Sequence, residues 1–221
     1  MGEQKFGIEH QSCRHIAQAI KEVYAIGVQM GIVVGGGNIF RGNQAKSFGF
    51  ARTPADHIGM LATTINGLVL QQTLASLGVE SRVMSALNTD SIVEPYHWGH
   101  ALHSLQKGMI LIFVGGTGNP YFTTDSAAAL RASEIQAEML LKATKVDGIF
   151  SEDPKKNPRA EKFERLTYSD VLAKKLNVMD ATAIALCREN QIPICVFNLF
   201  EQGAMLKAVC GQQKGSLVMG G

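Results

Sequence analysis

The run Met109–Val114, MILIFV, passes straight into the glycines Gly115, Gly116 and Gly118. A membrane-spanning helix needs about 20 apolar residues, so a run this short is a buried strand. Its glycines then mark the strand's carboxyl end, where open parallel sheets bind their ligands. The same pattern occurs earlier, where Gly31–Val34 (GIVV) ends in Gly35, Gly36 and Gly37.

Helical segments separate the strands. Ser12–Ile26 places Ile16, Ala19, Ile20 and Val23 at helical period and stops at Gly27. Thr53-Pro54-Ala55-Asp56 opens a second helix reaching Leu77-Gly78, with Thr53 as cap, Pro54 at the first helical position and Asp56 completing a capping-box-like pattern. Strand Val79–Ser85, helix Tyr96–Gln106 and strand Met109–Val114 follow. An alanine-rich helix is expected over Thr124–Ala143, then a strand over Lys145–Phe150. DPKKNPR (Asp153–Arg159) is a loop, since two prolines and a basic cluster oppose regular structure. Helices near Tyr168–Lys175 and Ala181–Asn190, strand Pro193–Asn198, helix Gly203–Val209 and strand Ser216–Met219 complete the chain. This alternation implies crossover connections: an α/β three-layer sandwich with a mostly parallel central sheet and helices on both faces. The 221 residues suit a single domain, with residues 1–150 as one lobe and 151–221 completing a second.

Composition excludes several classes. Apolar residues make up 46% and charged residues 18%, so the chain is globular. A net charge of +2 without a basic stripe argues against nucleic acid. The polar start MGEQKFGIEHQ lacks a signal-peptide stretch, and Phe6 stands where a myristoylation motif needs Ser or Thr. Cys13, Cys187, Cys195 and Cys210 show no Cys-x-x-Cys spacing and read as free thiols of a cytosolic protein. His97 and His103 lie about 240° apart around a helix, so they do not converge on a metal.

Glycine turns let backbone N–H groups approach an anion, and a following helix start adds roughly +0.5 charge. Neither turn is a P-loop, since the Gly-x-x-x-x-Gly-Lys-Ser/Thr spacing is absent, and neither is a dinucleotide fingerprint, since Phe40 and Tyr121 occupy the third-glycine positions. Two such turns at one sheet edge suit two phosphate groups, or the two ends of one transferred group. Arg41 is either a phosphate-forking guanidinium or a solvated surface arginine. Asp56 caps its helix and could accept sugar hydroxyls as well. Of Thr123 and Thr124, one hydroxyl can cap a helix while the other faces a ligand, or both can be caps. Asp125 beside a phosphate is repulsive unless a cation or a proton intervenes; Mg²⁺ is the economical answer and points to phosphoryl transfer.

The runs GGGNIFRG (Gly35–Gly42), DHIGMLAT (Asp56–Thr63), GTGNPYFTTDSAA (Gly116–Ala128), LKATKVDGIFSEDPKKNP (Leu141–Pro158), LTYSDVL (Leu166–Leu172), VMDATA (Val178–Ala183) and PICVFN (Pro193–Asn198) resemble the bacterial uridylate (UMP) kinases of the amino acid kinase family. That resemblance implies transfer of the ATP γ-phosphoryl to UMP, giving UDP for pyrimidine nucleotide biosynthesis, with Mg²⁺ carried by ATP. It implies a catalytic Asp125 with Arg41, and a Gly36 amide on the UMP phosphate. Gly37 and Arg41 would lie near the ATP phosphates and Asp56 on the UMP ribose. Thr117, Gly118, Asn119, Pro120, Tyr121, Phe122, Thr123 and Thr124 would wrap UMP, so that residues 1–150 are mainly the acceptor lobe. Thr144, Phe150 and Asp153 would form the ATP nucleoside pocket, although Phe150 by spacing alone reads as core. A cytoplasmic homohexamer is implied, activated by GTP and inhibited by UTP. Gly2, Glu3, Gln4, Lys5, Phe6 and Gly7 match a segment linked to GTP activation.

The family begins with a strand ending in Lys-Leu-Ser-Gly-Glu, whose lysine bridges the phosphates. This sequence opens at MGEQKFG, which matches the residues after that run. The resulting expectation is a truncated or mis-started chain that folds poorly or is nearly inactive. Lys142 and Lys145 read as cations at a helix C-terminus rather than as substitutes. Two alternatives stay open: another kinase of the same fold, acting on acetylglutamate, aspartate, carbamate or an isoprenoid phosphate, and a non-catalytic nucleotide-binding oligomer.

Overall fold

A computed structural model of the chain describes residues 7–41, 47–154, 156–176, 178–212 and 215–220. It forms two compact units, Met1–Arg131 and Ala132–Gly221. The first contains α1 (His10–Tyr24), β1 (Gly31–Val33), α2 (Arg52–Ser76), β2 (Ser81–Ser85), β3 (Glu94–Pro95), α3 (Trp98–Gln106), β4 (Ile110–Val114) and most of α4 (Thr124–Glu134). Its sheet runs β1-β4-β2-β3 and is parallel throughout.

Every residue of β4 is buried, with strands on both of its edges. A Cβ on Gly67 of α2 would collide with Val114 and touch Ile112 and Val83, so glycine lets this helix lie directly on the sheet. On the alternate side of β4, the Phe113 ring meets Tyr96 edge-on at 5.6 Å between centroids. Each large apolar side chain removed from water in this way contributes roughly 1.5–3 kcal/mol. Ala17, Ile20 and Val23 of α1 and Leu70 and Leu74 of α2 extend the core.

The second unit contains β5 (Leu140–Thr144), β6 (Ile149–Phe150), β7 (Lys162–Phe163), β8 (Arg165–Thr167), α5 (Tyr168–Ala173), α6 (Ala181–Glu189), β9 (Ile194–Asn198), α7 (Ala204–Val209) and β10 (Ser216–Met219). Its sheet runs β5-β9-β10-β8, with β10 antiparallel to β9 and the other pairs parallel. β6 and β7 form a separate antiparallel hairpin. Cys195 and Phe197 of β9 pack with Ala204 and Ala208 of α7. Thr167 and Asp170 form a full capping box on α5, and Asp180 caps α6 through the Ala183 N–H.

The α/β, mostly parallel architecture is as expected; among the described residues its strands form one four-stranded sheet per unit and the separate β6-β7 hairpin. Three local expectations are corrected. The helix expected over Thr124–Ala143 ends at Glu134, where Gln136 takes φ 55° and the Ala137 N–H returns to the Ala132 carbonyl. Leu140–Thr144 instead pair with Ile194–Asn198, so long-range pairing overrides helical propensity. Lys142 and Lys145 therefore lie in and just beyond a strand, not at a helix C-terminus. Of Lys145–Phe150, only Ile149–Phe150 is strand. Finally, α2 begins at Arg52 with Ala51 as N-cap and no side-chain cap, so neither Thr53 nor Asp56 caps it. The division between units falls after Arg131, ahead of the basic loop that had suggested a lobe boundary.

Candidate active site

β1 and β4 are parallel neighbours, with Val33 opposite Phe113, so the loops that follow them leave at the same rim of the first sheet. The loops meet there. A Cβ on Gly35 would lie 3.4 Å from the Thr124 hydroxyl oxygen, at the first residue of α4. Gly36 lies against α2, where an added Cβ would come within 2.5 Å of the Gly59 carbonyl oxygen. The Ile39 and Phe40 N–H groups both return to the Gly36 carbonyl, which turns the loop. Arg41 folds back so that its Nε donates to the Gly37 carbonyl.

The second loop is built from left-handed residues: Gly115 at φ 77°, Gly116 at 60° and Gly118 at 80°. A side chain at Gly118 would also meet the Ala86 carbonyl at 2.9 Å. Tyr121 adopts φ 75° without being glycine, a conformation that surrounding contacts must hold. The Asp56 carboxylate accepts the Tyr121 N–H at 2.8 Å and pairs with Arg52 at 3.2 Å. The Arg52 guanidinium sits 5.0 Å from the Tyr121 ring centroid. The Arg52–Asp56 pair is solvent-facing, worth at most about 1 kcal/mol, so its effect is on geometry rather than stability.

Thr123 and Thr124 divide their work. The Thr123 hydroxyl oxygen accepts the Asp125 and Ser126 N–H groups and caps α4, while Thr124 faces Gly35. Asp125 follows in the first turn. The Thr117 hydroxyl accepts the Asn119 N–H at 3.2 Å, and the Gly118 N–H bonds the Gly115 carbonyl, so a tight turn leads to Pro120. Tyr121 and Phe122 stand exposed at the loop's rim. Gly36, Gly37, Arg41, Asp56 and Thr117–Asp125 thus all belong to the first unit.

Thr144, Phe150 and Asp153 belong to the second. The Thr144 hydroxyl closes the end of β5, accepting the Val146 N–H at 3.1 Å. Phe150 is half-buried on β6, paired with Lys162. The Asp153 carbonyl accepts the Lys156 and Asn157 N–H groups and turns the basic loop. Beyond the carboxyl end of β9 lies a hollow of roughly 170 Å³, lined by Asp147, Asn198, Glu201 and Lys207 among others; none of the three expected nucleoside residues lines it. Gly2, Glu3, Gln4, Lys5 and Phe6 lie outside the described residues. Gly7 bonds the first loop: its N–H donates to the Asn38 carbonyl at 2.7 Å, and Asn38 Nδ2 donates to the Gly7 carbonyl.

Sequence reasoning did not single out Arg52, Thr63 or Asn66, all on α2. The Gly115 N–H donates to the Thr63 hydroxyl at 2.7 Å, and Asn66 Nδ2 donates to the Gly35 carbonyl at 2.7 Å. Polar residues interrupting an apolar helical stripe were the available signal. Arg131 was also missed: it is buried, with its guanidinium 3.7 Å from the Tyr96 ring centroid. Among the described residues there is no group of three His, Cys, Asp or Glu side chains arranged to hold a metal, and no helix long and apolar enough to cross a membrane.

The family model of the amino acid kinase family matches residues 3–198. A uridylate kinase of Protochlamydia amoebophila is 61% identical over 199 residues, covering 90% of this chain and 79% of that protein. One from Magnetococcus marinus is 50% identical over 218 residues, covering 99% and 90%. Among solved structures, UMP kinase from Bacillus anthracis superposes with a TM-score of 0.96 at 39% identity, covering 99% of this chain and 90% of that one. UMP kinase from Ureaplasma parvum gives 0.91 at 40% identity, with 96% and 90% covered. Uridylate kinase from Archaeoglobus fulgidus gives 0.73 at 29% identity, with 95% and 93% covered. The expectations of an inactive or poorly folding chain, of a different acceptor and of a non-catalytic binding oligomer are not borne out by these matches.

Proposed function

The chain belongs to the amino acid kinase family, and from that premise we propose how its first unit phosphorylates UMP at the meeting of two glycine loops. The reaction is the kinase reaction of its uridylate kinase relatives, moving the ATP γ-phosphoryl to UMP to give UDP. The observation that carries the site is the approach of Gly35 to the Thr124 hydroxyl, which joins the two anion-binding turns at one rim.

Phosphoryl transfer is chiefly positioning and charge stabilisation. The Gly36 amide and the α4 N-terminus offer N–H donors and the positive end of a helix dipole to the UMP phosphate. Asp56 holds the 121–122 aromatic rim through the Tyr121 N–H and meets the ribose hydroxyls. Thr117, Gly118, Asn119, Pro120, Tyr121, Phe122, Thr123 and Thr124 wrap the nucleotide. Arg41, released from the Gly37 carbonyl, forks onto the phosphates near Gly37. Thr144, Phe150 and Asp153 receive the ATP nucleoside. The hard oxygens of Asp125, beside a phosphate cradle, suit a nucleotide-borne Mg²⁺, which when bound offsets phosphate charge. Asp125 orients the reacting groups and keeps that charge balance local.

We infer a homo-oligomer, with a hexamer the finer expectation. Ile58, Leu61 and Ile65 are exposed along one face of α2, an apolar stripe that a second copy can cover. GTP activation and UTP inhibition are further parts of this reading, and the Gly7–Asn38 bonds give a segment at the N-terminus a path to the first loop. The enzyme acts in the cytoplasm, in pyrimidine nucleotide biosynthesis.

The test is turnover of the purified chain with Mg-ATP against UMP, CMP, acetylglutamate, aspartate, carbamate and isopentenyl phosphate, scoring ADP and, by phosphorus NMR, UDP. UMP should far exceed the others, and Asp125→Asn should lower kcat by roughly 100-fold while UMP still binds. No UDP from UMP, or an equal rate with another acceptor, refutes the reading.

A further inference from the structure

Asp56, Thr63 and Asn66 stand seven and three residues apart on α2, which returns them to one face of a 3.6-residue helix. Thr63 is 5% exposed, and its hydroxyl both donates and accepts. It donates its one proton to the Met60 carbonyl at 2.7 Å, which leaves the oxygen as an acceptor for the Gly115 N–H, also at 2.7 Å. The resulting chain of two hydrogen bonds runs from loop to helix backbone and strengthens cooperatively. Gly115 is the first residue after β4, so this bond sets where the second loop begins.

Asn66 does the same for the first loop. Its Nδ2 donates to the Gly35 carbonyl at 2.7 Å, and its Oδ1 accepts from Asn38 Nδ2 at 3.0 Å, which ties the outgoing limb of the turn. Gly36, between them, lies on the helix backbone at Gly59. One helix of 25 residues therefore holds both loops. Glycine-rich turns have little stiffness of their own, whereas two points one helical turn apart on a packed helix keep a fixed separation.

We propose that Thr63 and Asn66 are positioning residues for phosphoryl transfer, and that α2 is the ruler setting the distance between the two phosphate cradles. This rests on reading the loops as phosphate cradles. The Thr63 hydroxyl bonds the loop that begins at Gly115, and the Asn66 side chain bonds the loop at Gly35 and Asn38, so the two substitutions leave different kinetic signatures.

The experiment compares Thr63→Val, Thr63→Ser and Asn66→Ala with wild type. Valine keeps the β-branched shape and deletes the hydroxyl; serine keeps the hydroxyl. For T63V, kcat/KM toward UMP should fall roughly tenfold or more with KM for ATP little changed, and T63S should recover most of the loss. N66A should lower kcat by roughly tenfold with both substrates saturating. A merely structural Thr63 would lower the melting temperature and leave kcat and KM per folded molecule as in wild type; that result, or a T63S as impaired as T63V, overturns the proposal. If T63V does not fold, N66A decides, since Asn66 is only half-buried, and an unchanged kcat overturns it. A wild-type chain that forms no UDP refutes the functional reading instead. Calorimetry with UMP then tests the ruler separately: weaker UMP binding by T63V supports it and equal affinity overturns it.

Discussion

Replacing Gly36 with alanine forces the first loop off the helix it lies on. The new Cβ would sit 2.5 Å from the Gly59 carbonyl oxygen, 2.9 Å from Ala62 Cβ and 3.2 Å from the Thr63 nitrogen. Ordinary contact begins near 3.4 Å, and all three atoms belong to the helix body, where no flexible side chain can swing aside. The loop must lift by about 1 Å, a displacement that can cost roughly 100-fold in rate when it moves a reacting group. Overpacking of this kind destabilises by about 1–3 kcal/mol. In a chain of this length, that lowers the melting temperature by about 2–12 °C. Scanning fluorimetry and steady-state UDP formation read the two effects separately. The matched control is Gly59→Ala, whose Cβ would meet nothing within 4 Å; alanine there should gain up to about 1 kcal/mol of helix stability without loss of turnover. Wild-type kcat/KM and melting temperature in G36A would show that the loop does not lie where the structure puts it.

Gly67→Ala should destabilise by about 1–3 kcal/mol or more, because its Cβ would enter the space of Val114; chemical denaturation measures this, and an unchanged midpoint contradicts the close helix–sheet approach. Burial pushes the Cys187 thiol up to about 11 and raises Cys195 as well, whereas Cys210 is exposed. At pH 8 iodoacetamide should therefore label Cys210 in the native protein and reach Cys187 and Cys195 only on unfolding; intact-protein mass spectrometry decides, and native labelling of Cys187 at the Cys210 rate refutes it. The Asp170 carboxyl is held below the usual aspartate range, first by the Thr167 hydroxyl and then by the Thr167 N–H. A depressed folded-state pKa adds stability above the unfolded value and loses it as pH falls through the folded one. Asp170→Asn should thus melt below wild type at pH 6, with the gap closing as pH drops beneath the ordinary aspartate value; a constant gap excludes the capping carboxylate as its source.

The strands preceding the glycine loops were legible because GIVV and MILIFV are short, apolar and followed by glycine, and each property is local. The start of α2 was not. Thr-Pro-Ala-Asp carries the letters of a capping box, but the Asp56 carboxylate is taken by a backbone N–H 65 positions away, and no local pattern encodes that. The end of α4 was misplaced for a similar reason: Leu140–Thr144 is strand because β9 lies beside it. That one of Thr123 and Thr124 would cap the helix was legible, but which of them does so was not, since either hydroxyl could have reached the first N–H groups. Thr63 and Asn66 went unremarked because a helical stripe is read for its apolar members, and what these two hold is backbone, which sequence does not display.

β4 has every side chain buried and a neighbour along each edge. Its amides should be among the slowest in the protein to trade hydrogen for deuterium, yielding only when the whole first unit opens. Gly115 is covalently continuous with that strand. The turn that must meet a nucleotide is thus rooted in the least yielding part of its unit, and its freedom grows with each residue toward Phe122. A catalyst built in this way keeps its base still while its tip adapts to whatever arrives.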